Sequence, residues 1–343
     1  MAASDAIVGN TYSKPFSNLD NSIYPTHKKR YRAQQTRPDA AWDPSLQTEE
    51  EDEEPRWTEL QLACRAGDLE RIDAILSSQK EEYERAHIIN APPVGYYGQT
   101  ALQAACMNEH ESVVQVLLAN GADIHAAGGN NTYINAFEIA CRTGNINIFQ
   151  MLLNTGANVN PDRVTRYQGR TPIQAAAEGG HQEIIDLLLE YGANINAPAS
   201  ASAGMTALQA AAIAQDASMV EQLLARGADI NAPAGKNKGF TALQAACLGG
   251  DLETIQLLLR NGADVNASGS IFKGGTALHA AAAAGHVDVV RTLLVEGADP
   301  NSIAGRAKQT PLQTAALIGR SDIVEMLRGA GAVGPAVGGK ILF

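Results

Sequence analysis

An all-α solenoid of about eight helix-turn-helix units with extended hairpin fingers is the fold class this sequence predicts. Three observations carry that expectation. One segment recurs, as "TALQAAAIAQDASMVEQLLARGADINA" from Thr206, "TALQAACLGGDLETIQLLLRNGADVNA" from Thr241 and "TALHAAAAAGHVDVVRTLLVEGADPNS" from Thr276. These starts lie 35 residues apart, and self-similarity at a fixed period of this size marks stacked repeats. Each copy also reads as two short helices. Finally, hydrophobic residues are 45% of the chain but aromatic ones only 5%, which favours close packing of small side chains over a core of large rings.

Within a copy the elements follow in order. Thr opens it, because its hydroxyl can accept from the free amides of a first helical turn. Pro172 and Pro311 come directly after it, where a missing amide costs nothing. A short Ala-rich helix leads to a break such as "GGH" or "LGGD". The second helix carries Ile255, Leu258 and Leu259, the i, i+3, i+4 spacing of one buried face. Gly262 then closes it, as do Gly121, Gly156, Gly192, Gly227 and Gly297 in other copies, because glycine enters the left-handed region without strain. Earlier copies start at Thr100, Asn135 and Thr171, a last one at Thr310, and a degenerate first one near Thr58.

The segments "TPIQAAAEGGHQEIIDLLLEYGANIN" from Thr171 and "TALHAAAAAGHVDVVRTLLVEGAD" from Thr276 resemble the ankyrin repeat, and the likeness runs over roughly residues 58–333. The family pattern has Thr-Pro-Leu-His, Ala-Ala, Gly-His, a Leu-Leu pair and Gly-Ala-Asp. Here Gln replaces the His in most copies and only His279 keeps it; the period also exceeds the usual ~33. The Thr-Ala-Leu-Gln-Ala-Ala style is similar to repeats of filamentous fungi. The resemblance implies a non-enzymatic interaction scaffold, with fingers and first helices lining a concave binding face.

Outside the array, residues 1–55 show no sustained period and are expected to be a disordered tail; 56–333 form the array and 334–343 a flexible tail. The first tail holds a basic run, Lys28 to Arg32 within "HKKRYRAQQTR", and an acidic one, Glu49 to Glu54. The basic run reads as a solvated tail or as a nuclear-localisation signal, the latter making the protein a nuclear co-regulator. At the ends of the array, Arg71 and Arg328 take places held by Val289 and Leu294 in the seventh copy, the polar outer face that terminal repeats need. An array complete at both ends is therefore expected.

The bulk properties exclude several classes. A net charge of -11 argues against nucleic-acid binding. No run of about 18 apolar residues exists, so no membrane span is expected. No secretory signal opens the chain, and a cytoplasmic or nuclear location is the reading. Cys64, Cys106, Cys141 and Cys247 show no CxxC spacing; each follows an Ala in a first helix and reads as a small core residue. No Ser, Cys or His arrangement suggests an activated nucleophile, and no metal or cofactor motif is present. An enzyme or cofactor-binding protein on the same scaffold is the alternative, which would require converging His and carboxylate groups.

Two features mark the candidate binding face. The fingers carry Arg163, Arg166, Arg170, Lys236, Lys238, Lys273, Arg306 and Lys308, opposed only by Asp162. Aromatic residues accompany them, Tyr167, Phe240 and Phe272 among them. Such a row suits an acidic or phosphorylated protein segment, with Glu49–Glu54 as an intramolecular candidate; the alternative is that these charges keep the edge soluble. In addition, the residues that end the first helices turn apolar in the C-terminal half, at Ile213, Leu248, Leu317 and Ile318. They read either as an interface or as surface partly buried beneath the fingers.

Overall fold

A computed structural model describes residues 57–93, 98–129, 134–161, 170–200, 204–236, 239–270, 274–304 and 308–334. Everything below belongs to the unit Pro55–Phe343. Its helices fall into consecutive pairs: α1 (Glu59–Ala66) with α2 (Leu69–Ser78), α4 (Ala101–Met107) with α5 (Glu111–Ala119), and α6 (Ala136–Thr143) with α7 (Ile146–Asn154). Next come α8 (Pro172–Gly179) with α9 (Gln182–Glu190), α10 (Ala207–Ile213) with α11 (Ala217–Ala225), and α12 (Ala242–Gly249) with α13 (Leu252–Arg260). The last are α14 (Ala277–Ala284) with α15 (Val287–Val295), and α16 (Pro311–Leu317) with α17 (Ser321–Gly329). One helix, α3 (Glu82–Ile89), lies outside this pairing; its sequence "EYERAHII" occurs once, so repetition could not announce it.

The first helices begin where the hydroxyls are. Thr58, Thr100, Thr171, Thr206, Thr241 and Thr310 each accept from the amide of the Gln three residues on, and that Gln side chain reaches back to the Thr amide. This capping box satisfies two orphan donors at once. Asn135 makes the same exchange with Glu138, and Thr276 with His279.

Each first helix packs on the first helix of the next pair, α6 on α8 and α12 on α14 for example. Small residues allow this approach: Ala245, Ala246 and Cys247, or Ala280, Ala281 and Ala282, are all buried. The second helices bury a narrower stripe, Thr254, Ile255 and Leu258 in α13, while Leu259 is half-buried. The third pair departs from the small-residue rule, since Phe137 and Phe149 stack with ring centroids 5.2 Å apart.

Three polar contacts repeat between neighbours. An asparagine ladder runs along the turns. Asn231 donates to the Gly262 carbonyl (3.1 Å) and accepts from the Asp264 amide (2.9 Å), and Asn90, Asn160, Asn196, Asn266 and Asn301 do the same with their own neighbours. His125 occupies the corresponding place in the second pair, where its own amide bonds Asp123 (2.8 Å).

The second contact explains the "GH" pair. His110, His181 and His286 each bring Nε2 to a carbonyl of an earlier repeat, Arg65 (3.2 Å), Arg142 (2.9 Å) and Leu248 (3.2 Å). The ring of His181 lies so close over Gly144, at φ +89°, that a Cβ there would sit 2.3 Å from it.

The third contact is a rung from each first helix to the loop that follows. The Gln amide that caps its own Thr donates its Nε2–H onward: Gln103 to Ala126 (2.8 Å) and Ile134 (2.9 Å), Gln174 to Ala197 (2.8 Å), Gln209 to Ala232 (3.0 Å) and Gln244 to Ala267 (2.8 Å). This answers why Gln stands for the family's His. At His279, Nδ1 accepts from the Thr276 amide (3.2 Å), so Nε2 holds the proton and donates to the Gln309 carbonyl (2.9 Å). A primary amide presents the same acceptor and donor as that neutral imidazole.

Candidate binding face

The loops between pairs are closed at their bases. Gly204 donates to the Ser200 carbonyl (3.1 Å), Gly239 to Gly235 (3.1 Å) and Gly274 to Ser270 (2.9 Å), while Ala304 and Gln309 exchange two bonds of 3.1 and 3.3 Å. Glycine is required here: a Cβ on Gly239 would sit 1.9 Å from the Gly235 nitrogen. Lys236 and Lys308 are exposed beside these bases. A cleft of about 320 Å³ separates the fourth and fifth loops, walled by Pro198, Ala199, Pro233 and Ala234 with Lys236 at its edge.

Arg163, Arg166, Tyr167, Lys238, Phe272, Lys273 and Arg306 lie outside the described residues, as do the Glu49–Glu54 and Lys28–Arg32 runs. Arg170 does not stand on an open edge. It is 7% exposed and its Nε donates to Glu178 (3.1 Å). Buried guanidinium groups are paired because leaving one without an anion is costly; here the anion is on the helix that Arg170 precedes.

The first-helix ends divide into two chemistries. In α4, α6 and α8 they are Met107, Arg142 and Glu178, and these engage one another or Arg170: Arg142 Nη2 lies 3.7 Å from the Met107 sulfur. In α10, α12 and α16 the corresponding surface is Ile213, Leu248, Leu317 and the C-cap Ile318, each half-buried. Ile213, Leu248 and Phe240 pack one side against the core and keep the other toward solvent. Ile213, Leu248 and Leu317 hold the same place in the fifth, sixth and eighth pairs, Ile318 follows as a C-cap, and the seventh pair has Ala283 there.

The ionisable groups in the core are arranged for structure. Burial pushes the Cys64 and Cys106 thiols up to about 12, and raises Cys141 and Cys247 as well. Thiols held protonated are poor nucleophiles. Burial lowers His279 to about 4, against the raising effect of its bond to the Gln309 carbonyl. Among the described residues no group of three or more His, Cys, Asp or Glu side chains could hold a metal. No helix among them is long and apolar enough to cross a membrane.

A stack of helix pairs, tied by ladders and offering extended surface, is the architecture of a repeat solenoid. The family described as "Ankyrin repeats (3 copies)" matches residues 42–128, 128–199, 198–269 and 268–333, and the chain belongs to that family. Ankyrin repeats are protein–protein interaction domains, generally without catalytic activity.

The curated relatives match this chain over part of their length. The mouse B-cell lymphoma 3 protein homolog is 34% identical over 103 residues, 29% of this chain and 22% of that protein. The bovine SMC5-SMC6 complex localization factor protein 1 is 31% identical over 147 residues, 41% of this chain and 14% of that protein. The putative ankyrin repeat protein YahD of Escherichia coli K12 is 28% identical over 136 residues, 39% of this chain and 61% of that protein. The matches thus span less than two thirds of each relative.

Proposed function

We propose that this chain is a non-catalytic scaffold that holds an extended protein segment across its first-helix ends, from Ile213 to Ile318, with lysines of the adjoining loops receiving acidic or phosphorylated groups. The observation that carries this reading is the set of half-buried apolar ends at Ile213, Leu248, Leu317 and Ile318, together with the exposed Lys236 and Lys308 in the loops that lead into α12 and α16. An apolar strip edged by cations suits a segment that mixes apolar with acidic residues. The basic positions Arg163, Arg166, Lys238, Lys273 and Arg306, with Tyr167 and Phe272, belong to the same proposal as loop residues. The chain's own Glu49–Glu54 run carries the matching charge and is a candidate competitor for that strip.

The test is selection from a peptide display library against the intact protein and against a variant carrying Leu248→Asp, Leu317→Asp and Ile318→Asp. The reading expects acidic-apolar peptides to be enriched by the first and lost by the second, at unchanged helicity by circular dichroism. The same peptides recovered equally well by both proteins would refute the assignment. Removing residues 1–55 should raise affinity at low salt, where screening is weakest; equal affinity would remove the competitor.

A further inference from the structure

The third repeat breaks the rung pattern. Where five other first helices carry a Gln that both caps its helix and donates to the following loop, at positions 61, 103, 174, 209 and 244, this one carries Glu138. Glu138 is 7% exposed. One oxygen already accepts from the Asn135 amide (3.2 Å). In the regular rungs of Gln103, Gln174, Gln209 and Gln244, the carbonyl receiving the Gln Nε2–H lies 23 residues further on; for Glu138 that place is Pro161. A carboxylate has no hydrogen to give, and a protonated carboxyl has one.

We propose that Glu138 is a proton-operated latch: with a proton taken from solvent it donates to the Pro161 carbonyl and fastens the turn at residues 158–161, and without one it releases that turn. The surroundings leave protonation to decide. Among the described residues, the ionisable groups on the elements packed against α6 are Cys106 on α4 and Glu178 on α8, with Arg170 just before α8 and His125 in the preceding turn; α7 carries none. On α6 itself are Cys141, one turn on, and Arg142, which lies against Met107. Arg170 is bound to Glu178, and the cysteines are thiols raised by burial. Burial pushes the Glu138 carboxyl up to about 7, against the lowering effect of its bond from the Asn135 amide. A buried carboxylate with no compensating charge among the described residues is the costly state, so the switch falls in the neutral range.

The full chain tests this by amide hydrogen exchange at Asn158, Asn160 and Arg170 across about pH 5 to 8, corrected for intrinsic exchange. Three proteins are compared: the native chain, Glu138→Gln, which donates at every pH, and Glu138→Met, which donates at none. The native chain should match the Gln variant in acid and the Met variant in base, with several-fold loss of protection between them. Carbon NMR of the native chain's Glu138 carboxyl should place its midpoint near that transition. Native protection that stays constant while the carboxyl titrates would overturn the latch and leave only a buried acid. A midpoint at the ordinary carboxylate value would overturn it as well.

Discussion

The third and seventh repeats solve the same problem with opposite ionisable groups. Both must cap a first helix and reach the next loop from one side chain. The seventh uses His279, whose neutral form carries the acceptor and donor together. The third uses Glu138, which can do both only when protonated. Burial therefore pushes the two in opposite directions, His279 down from 6.5 to about 4 and Glu138 up from 4.5 to about 7. The difference teaches that a rung is selected for its neutral donor–acceptor pair. The Gln rungs reach that state without titrating at all.

The largest way to separate the two repeats is through the glycine that ends each first helix. At Gly144 an added Cβ meets the rigid His181 ring at 2.3 Å; at Gly285 it meets the flexible tip of Arg320, also at 2.3 Å. Both carry positive φ, so both alanine variants suffer left-handed strain of roughly 1–2 kcal/mol. Gly144→Ala should cost about 3–4 kcal/mol in urea unfolding, because the ring cannot step aside.

Next come the rungs themselves, read as stability against pH. The folded Glu138 binds a proton that the unfolded chain has lost, so its contribution is full below about 4.5 and disappears as pH rises through about 7. Glu138→Gln should match the native chain in acid and exceed it by about 3 kcal/mol at most above that range. The folded His279 refuses a proton that the unfolded chain accepts below 6.5, so its contribution is full above that value and is lost toward 4. His279→Gln should therefore gain about 2 kcal/mol on the native chain as pH falls from neutral to about 5. Between these limits the two native contributions oppose each other, so the single variants should tilt in opposite directions where the parent stays level. Parallel profiles for all three proteins would show that neither rung is linked to folding.

The smallest effect closes the comparison: Gly285→Ala should cost only about 1–2 kcal/mol, the left-handed strain alone. Equal losses at the two glycines would mean that the His181 ring yields as readily as the Arg320 guanidinium.

Much of this was legible beforehand because it repeats. The Thr caps, the paired helices and the small Ala or Cys at the helix contacts each recur, so chance agreement was excluded. Glu138 was also visible, as "NAFE" against "TALQ" elsewhere, but its meaning depends on a carbonyl 23 residues away that no local pattern reveals. Arg170 misled for a related reason: a cation in a loop looks available until Glu178 is seen beneath it. Helix α3 occurs once and has a weak apolar face, so neither repetition nor periodicity could find it. The apolar positions at Ile213, Leu248, Leu317 and Ile318 were legible as positions, whereas their half-burial is a property of the stack.

The asparagine ladder has a mechanical side. Its bonds join consecutive turns along the direction in which the stack would be stretched, so an applied load is shared among them as among the stitches of a seam. His125 is a dropped stitch, between Asn90 and Asn160. In a linear array only neighbours resist separation, so a pull from the two ends should open the seam first between the second and third repeats. The six repeats from Asn160 onward, joined by five asparagines of which Asn301 closes on Val333, would then give way later, as a second and larger extension.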